Sequence, residues 1–502
     1  MEIYFRNYPD NEKNIIENIK NCDFISFDLE MTGIDNEKNN NIIDTPQTRY
    51  EKYKLTAQTY SIIQFGLSLF KYIQEKNIFE CYIYYIYMFP YLDNNNKLVN
   101  LELKSMLFNN KHNIDYNKWF DGAHYLNNRQ YLEMKKDIID NNINITEQEV
   151  ILNGILYNKC ENIIKDIKEN FITNENSNDY IVEDLPLYML YYIKNRLKDN
   201  NLYFDKIKIH GNIFTLLSKY DSKEKKEQLL KKDIEKQLYK LERKKGVKNI
   251  YDTIIQYKKR LIGHNNSLDI LFIISHLGEK LPDDYQEFKG LIHRTFPNGF
   301  YDTKLIFEDL KKNTFFNLKD KMSTLEVIYP ILLNIIPNDK KVIIKVINYK
   351  MDDNSNNIQY HNAGIDSYIT GIIYIYLRII YNNFEEFDKK FKNKIFMMKN
   401  LYKYFDFDYD EEYLYLNCEY YVLQATRKCS DIVLNNILGA YRNKIIDGFN
   451  FEKKNIIVLV AKFSKNCYEE EKIIFENILN HHKNHLKLYK FFTLENYRQK
   501  YL

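Results

Sequence analysis

The sequence predicts an α/β protein of several domains, and three observations predict it. Runs rich in β-branched and aromatic residues, at 24–30, 61–72 and 77–91, are interspersed with stretches of helical period such as 12–20 and 360–380. The length of 502 residues exceeds what one core can serve and calls for two to four domains. Composition shifts near residue 160, and a strand–helix–strand–strand–helix–strand order occupies 415–495.

Taken in order, EKNIIENIK (12–20) places Ile15, Ile16 and Ile19 on one face of a short amphipathic helix. FISFDLE then reads as a buried strand. Its last acids, Asp28 and Glu30, are two apart and so share a face. Residues 32–59 are polar and turn-rich, but Pro46 after Thr45 suits the first turn of a helix within DTPQTRYEKYKL. SIIQFGLSLFKY (61–72) and NIFECYIYYIYMFPY (77–91) read as two runs of a meander, and 101–140 as helical. Coil is expected at 140–150. From 160 the pattern is helix, Asn-rich loop, then helix–strand–strand, a compact α/β insert. Residues 222–245 form a mixed-charge helix with pairs such as Glu227 and Lys231, the pattern of a solvated connector. KKRLIGHNNSLDILFIISHL (258–277) is strand, polar turn and helix. GFYDTKLIFEDL (299–310) is strand into helix, and 360–380 is an apolar helix.

Composition limits the function classes. With 72 Lys+Arg against 69 Asp+Glu the net charge is +3, so a nucleic-acid surface has to be a local patch. The 45 Tyr and 31 Phe accompany abundant Asn, Lys and Ile, which points to codon bias rather than base stacking. Six cysteines without a C-x-x-C pair fit reduced thiols and argue against a disulfide framework or structural zinc. The polar start MEIYFRNYPDNEKN is not a signal peptide, and the polar end ENYRQKYL suggests no tail anchor. The apolar runs 81–92 and 327–337 fall short of the roughly 20 residues a bilayer needs.

The chemistry rests on scattered acids. Two parallel carboxylates at Asp28 and Glu30 repel unless a cation lies between them, and a divalent ion with oxygen ligands is the usual solution. A bare D-x-E is otherwise a solvated acidic turn. Asp269 lies among Leu268, Ile270, Leu271 and Ile274, where an acid is costly unless paired or metal-bound. Asp302 reads as a helix N-cap. Asp366 near the start of its helix gains from the helix dipole, and His361 alone is an ordinary turn histidine.

As a set, the order D-x-E, G-H-N-x-x-x-D and H-x-x-x-x-D resembles the four-acid pattern of the DEDD 3′–5′ exonucleases, in the histidine-containing branch. The stretches FDLEMTGI, DTPQTRYEKYK, IIQFGLSLFKY, FDGAHYLN, LIGHNNSLDILF, LPDDYQEFKG, FYDTKLI and HNAGIDSYITGI resemble, in order, the poly(A)-specific ribonuclease family. The resemblance implies a ribonuclease-H-like nuclease domain, a mixed sheet flanked by helices, in two parts (1–159 and 246–398). An inserted small α/β domain (160–245) interrupts it. It implies two Mg²⁺ ions, with Mn²⁺ a possible substitute. Asp28, Glu30 and Asp366 would hold one ion and Asp28 would bridge to a second that Asp269 orients. His361 would take the proton of the attacking water, releasing 5′-AMP from single-stranded RNA with a 3′ poly(A) tail. Met31 and Ile34 would line the floor under the RNA 3′ end. A homodimer in nucleus and cytoplasm, without a membrane, completes the expectation.

Two departures stand out. The family's insert carries an Arg-x-x-x-His motif, whereas Arg196 is followed four residues on by Asn200. Residues 399–502 read as an RNA-recognition-motif-like βαββαβ domain, yet the family's cap-stacking Trp is missing there. Trp119 is the only Trp, leaving Phe449 as a weaker stacking ring or the domain as a packing module. The alternatives are an exonuclease that trims small-RNA 3′ ends, such as piRNA precursors, and an inactive RNA-binding pseudo-nuclease.

Overall fold

The structure is a computed structural model that describes residues 1–34, 42–91, 98–143, 154–173, 177–220, 222–348, 360–413, 418–425, 445–451, 456–462, 468–486 and 489–501. The helix expected at 430–441, Cys429, Cys467 and the side chain of Phe449 lie outside the described residues. The chain forms two compact units, Met1–His124 with Asn249–Leu502, and Tyr125–Lys248.

The first unit is built on a mixed sheet. Its main strands are β1 (Glu2–Ile3), β2 (Phe24–Met31), β3 (Ile62–Ile73), β4 (Ile78–Pro90), β5 (Arg260–Gly263) and β6 (Phe300–Asp302), in the spatial order β1-β4-β3-β2-β5-β6. The pairs β2–β3 and β3–β4 are antiparallel, as a meander requires. The pairs β2–β5, β5–β6 and β1–β4 are parallel. The first nine residues of β3 are all buried, because both faces of the sheet are covered and an unbroken apolar run is what such a strand needs.

Helices flank the sheet: α1 (Tyr8–Asn21), α2 (Pro46–Thr59), α3 (Leu103–Lys111), α4 (Ser267–Leu277), α5 (Leu325–Ile335) and α6 (Ala363–Tyr381). Thr45 caps α2 by accepting from Thr48 N–H, with Pro46 in the first turn as the sequence predicts. Helix α6 lies across β2 and β3 and is buried at fourteen of the fifteen positions from Ala363 to Leu377. It exceeds the apolar runs at 81–92 and 327–337. By length and composition it could cross a membrane, yet it serves here as the core helix. Its aliphatic and aromatic face joins Phe70, Ile83, Ile262, Tyr301 and Ile306 in one cluster.

The stretch 101–140 is not continuously helical. Beyond α3 come a short helix Tyr116–Phe120, a strand Ala123–Tyr125 and a helix Asn128–Ile143. Asn113 takes φ +63, and the Asp115 side chain accepts from Asn117 and Lys118 N–H, so the chain turns and restarts. Trp119 is buried just after that turn.

Taken by itself, the second unit has a three-stranded antiparallel sheet of Asp179–Glu183, Leu202–Ile209 and Asn212–Lys219, with the last strand in the middle. Phe171, Leu190, Ile193 and Leu217 form its core. Arg196 is engaged by Glu161 at 3.1 Å and stacks over Tyr192.

Within the first unit, β7 (Glu419–Ala425), β8 (Ile445–Phe451), β9 (Ile456–Ala461) and β10 (Tyr489–Thr493) form an antiparallel sheet ordered β8-β9-β7-β10. Tyr421 packs on Phe475 of helix α7 (Tyr468–Leu486). The alternate residues Tyr420, Val422, Val458 and Val460 share a cluster with Ile42, Ile43 and Leu401. Helix α8 (Leu494–Tyr501) closes the contact, with Arg498 donating to Ile43 O at 2.9 Å and stacking over Tyr402 and Tyr413.

Candidate active site

Asp28 and Glu30 stand on one face at the end of β2, and the strand is bulged immediately after Glu30, where pairing shifts from Glu30↔Gln64 to Met31↔Ile62. Bulges of this kind re-aim side chains at the ends of strands. The exit from β2 is held by its neighbours. Asn109 of α3 donates to Met31 O, Thr32 donates to Asn100 O, and Ile34 N–H donates to Glu102.

Asp366 arrives from the first turn of α6, and that turn is fixed by buried polar contacts. Gln64, opposite Glu30, accepts the Ala363 N–H at 3.0 Å. Ser26 donates to Ser367 O at 2.6 Å, Ser68 meets the Ser367 hydroxyl at 2.8 Å, and that hydroxyl donates to Gly364 O. Gly66 lies opposite Asp28, and a Cβ there would stand 1.8 Å from Ala363 O, so only glycine lets the helix settle onto the strand. One carboxylate oxygen each from Asp28, Glu30 and Asp366 lies within 4.8 Å of the other two.

Asp269 joins from the first turn of α4 by a different route. Its Oδ1 accepts the N–H of Leu29, the residue between the two strand acids, at 3.2 Å. It therefore flanks the trio without belonging to its tightest group. The loop before α4 is tied down by Asp302, which is fully buried. Its carboxylate accepts from Asn265 N–H, from Lys304 N–H as the N-cap the sequence predicts, and from Phe396 N–H, each at 2.9 Å.

The electrostatics express the crowding. Burial, then Asp269, Asp366 and Glu30, pushes Asp28 well above the usual carboxylate range. Burial, then Asp366 and Asp269, does the same to Glu30. Burial raises Asp269 to about 7 against the opposing backbone N–H groups. Burial also raises Asp366 to about 7, and its Oδ1 is buried with no hydrogen-bond partner. Among the described residues no Lys or Arg pairs with any of the four.

His361 is brought to the edge of this cluster rather than into it. Its backbone, at φ +62, donates to Asp366 Oδ2 at 3.0 Å. Its ring meets His112 and Phe108, with centroids 4.2 and 5.1 Å away. Of the two residues expected under an RNA end, Met31 is buried in the core and offers little surface, whereas Ile34 is exposed. The residues that sequence reasoning missed are Gln64, Gly66 and the three serines. The repeated small and polar positions in QFGLS and GIDS were the available signal.

A family model described as CAF1 family ribonuclease matches residues 4–374. The pre-piRNA 3′-exonuclease trimmer of Bombyx mori is 27% identical over 402 residues, spanning 75% of this chain and 71% of that protein. The poly(A)-specific ribonuclease PARN of Xenopus laevis is 24% identical over 440 residues, spanning 80% and 67%. Among solved structures, the Mg²⁺- and Mn²⁺-bound form of S. pombe Pop2p matches with a TM-score of 0.37 and 13% identity, over 76% of this chain and 93% of that one.

Proposed function

The chain belongs to the CAF1 family of ribonucleases, and from that premise we propose that it is a 3′–5′ exoribonuclease whose preferred substrate is an RNA ending in poly(A). The observation that carries the reading is the meeting of Asp28, Glu30 and Asp366, from a strand and a helix more than 300 residues apart, with Asp269 bonded to the backbone between the strand acids. Four desolvated carboxylates facing one another, one with an unpartnered oxygen, are stable as anions only around added positive charge. An all-oxygen donor set suits a hard dication, so Mg²⁺ is the natural occupant and Mn²⁺ a substitute.

Asp28, Glu30 and Asp366 would hold one ion, and Asp28 with Asp269 a second. When bound, such a pair supplies a nucleophile at neutral pH and neutralises charge developing at the scissile phosphate. The protein's own work is orientation and proton transfer. The backbone ties on Asp269 and Asp366 fix both carboxylates. His361 would accept the proton of the attacking water at a ring nitrogen. Ile34, exposed past the strand acids, would pack against the terminal nucleotide, with Met31 supporting it from beneath.

The wider reading keeps the insert at 160–245 and the C-terminal module at 399–502 as separate domains. The order β8-β9-β7-β10 supports an RNA-recognition-motif-like fold for the module. A homodimer shared between nucleus and cytoplasm belongs to the same proposal. Trimming of other RNA 3′ ends is the second reading, favoured by the similarity to the Bombyx mori protein. Incubation with Mg²⁺ and 5′-labelled RNAs ending in A₂₀ or in mixed sequence, beside Asp28→Ala, separates the two. Preferential loss of the A-tail supports the deadenylase. Equal shortening supports the trimmer. Products that persist in Asp28→Ala sink both.

A further inference from the structure

We propose that Glu326 is the positioning residue of His361, holding its imidazole so that Nδ1 is the nitrogen left to accept the proton. The inference rests on the reading of His361 as the base and adds a residue that reading does not use.

Glu326 lies in the first turn of α5, whose Ile328 and Leu332 are fully buried in the same cluster as Ile369, Ile372 and Ile373 of α6. The carboxylate therefore projects from a helix packed rigidly on the one that carries Asp366. Glu326 Oε1 stands 3.2 Å from His361 Nε2. Three constraints then act on one histidine. Its backbone N–H is spent on Asp366. Its ring is edge-on to Phe108 of α3 and to His112 just past that helix's end. Its Nε2 faces a carboxylate. A carboxylate accepts and cannot donate, so Nε2 carries the hydrogen and the lone pair of the neutral ring resides on Nδ1. The pair remains open to solvent, with side chains 39% and 37% exposed, as a group that meets an attacking water must be. When Nδ1 takes the proton, the ring becomes a cation beside Glu326, and the carboxylate stabilises it without taking the proton itself.

The test measures kcat and KM on a 3′ A-tailed RNA at saturating Mg²⁺ for Glu326→Ala, Glu326→Gln and His361→Ala. It also reads the His361 tautomer by ¹⁵N NMR of the metal-free protein. Glu326→Ala should lower kcat roughly 10- to 100-fold with KM nearly unchanged. Glu326→Gln should recover much of that loss, because its amide oxygen keeps an acceptor beside Nε2. The wild type should show the Nε2–H tautomer, and Glu326→Ala a mixture. Full kcat in Glu326→Ala beside an inactive His361→Ala overturns the proposal, as does a wild-type Nδ1–H tautomer. Full kcat in His361→Ala instead overturns the reading of His361 as base, and the tautomer then still decides whether the pair exists.

Discussion

Replacing Gly66 by alanine should uncouple Asp366 from the strand acids without touching any of them. The Cβ would sit 1.8 Å from Ala363 O, 2.0 Å from Ala363 C and 2.6 Å from Gly364 N. All three are backbone atoms in the first turn of α6, so no rotamer relieves the clash. The helix must retreat by about 1 Å, against the Gln64 and serine contacts that seat it, which is overpacking worth about 1–3 kcal/mol. Asp366 lies one turn along and moves with it. A displacement near 1 Å at reacting groups costs on the order of 10²-fold in rate. The assay is kcat against Mg²⁺ concentration on an A-tailed RNA, with Tm measured alongside. We expect a roughly 10²-fold lower kcat, a higher half-saturating Mg²⁺ and a Tm lower by several degrees. Gly290→Ala is the control, since its Cβ meets only the flexible Arg294 guanidinium at 3.3 Å. Wild-type kcat and Mg²⁺ dependence in Gly66→Ala would refute the claim that this glycine sets the height of α6.

Asp269 and Asp366 are raised to about 7 in the folded, metal-free protein and titrate near 4 when unfolded, so the stability they contribute is full below about 4 and is lost as pH rises towards 7. A cation has to displace those protons, so the rise in Tm on adding Mg²⁺ should grow between about pH 5.5 and about pH 7.5; a rise independent of pH contradicts this. Burial pushes His264 down to about 3 and His276 down to about 4, below the unfolded value of 6.5. Their contribution is therefore present above about 6.5 and lost as pH falls through about 4, and Tm in His276→Gln should fall less steeply with acid than in the wild type. Arg498→Ala removes the bond to Ile43 O and the stacking on Tyr402 and Tyr413, and should lower Tm by a few degrees with kcat within about twofold. An unchanged Tm would mean that the C-terminal sheet is not braced there.

The legible part of the site was the part set by local period. Asp28 and Glu30 announce themselves because a strand has a period of two. Asp302 announces itself because caps precede helices by rule, and Pro46 because proline suits a helix's first turn. Asp269, Asp366 and His361 carry no local signal strong enough alone and became readable only as an ordered set. What stayed hidden depends on which helix covers which strand. Gly66 is an ordinary strand glycine until α6 is laid on it, and Gln64 is an ordinary polar residue until the Ala363 N–H needs a partner. Glu326 reads as a helix-start acid, since its partner lies 35 residues on and on another element. The stretch 101–140 reads as helical, and the structure makes three helices and a short strand of it. Its break comes from the left-handed Asn113 and the Asp115 cap, which a window average does not resolve.

The proposed centre is four carboxylates acting as one divalent-cation site. The most direct measurement is a calorimetric titration of Mn²⁺ into metal-free wild type and Asp28→Asn, because Asp28 is the acid assigned to both ions. Two bound ions in the wild type, with at least one lost or more than about tenfold weaker in Asp28→Asn, is the predicted result. Superimposable isotherms would contradict it.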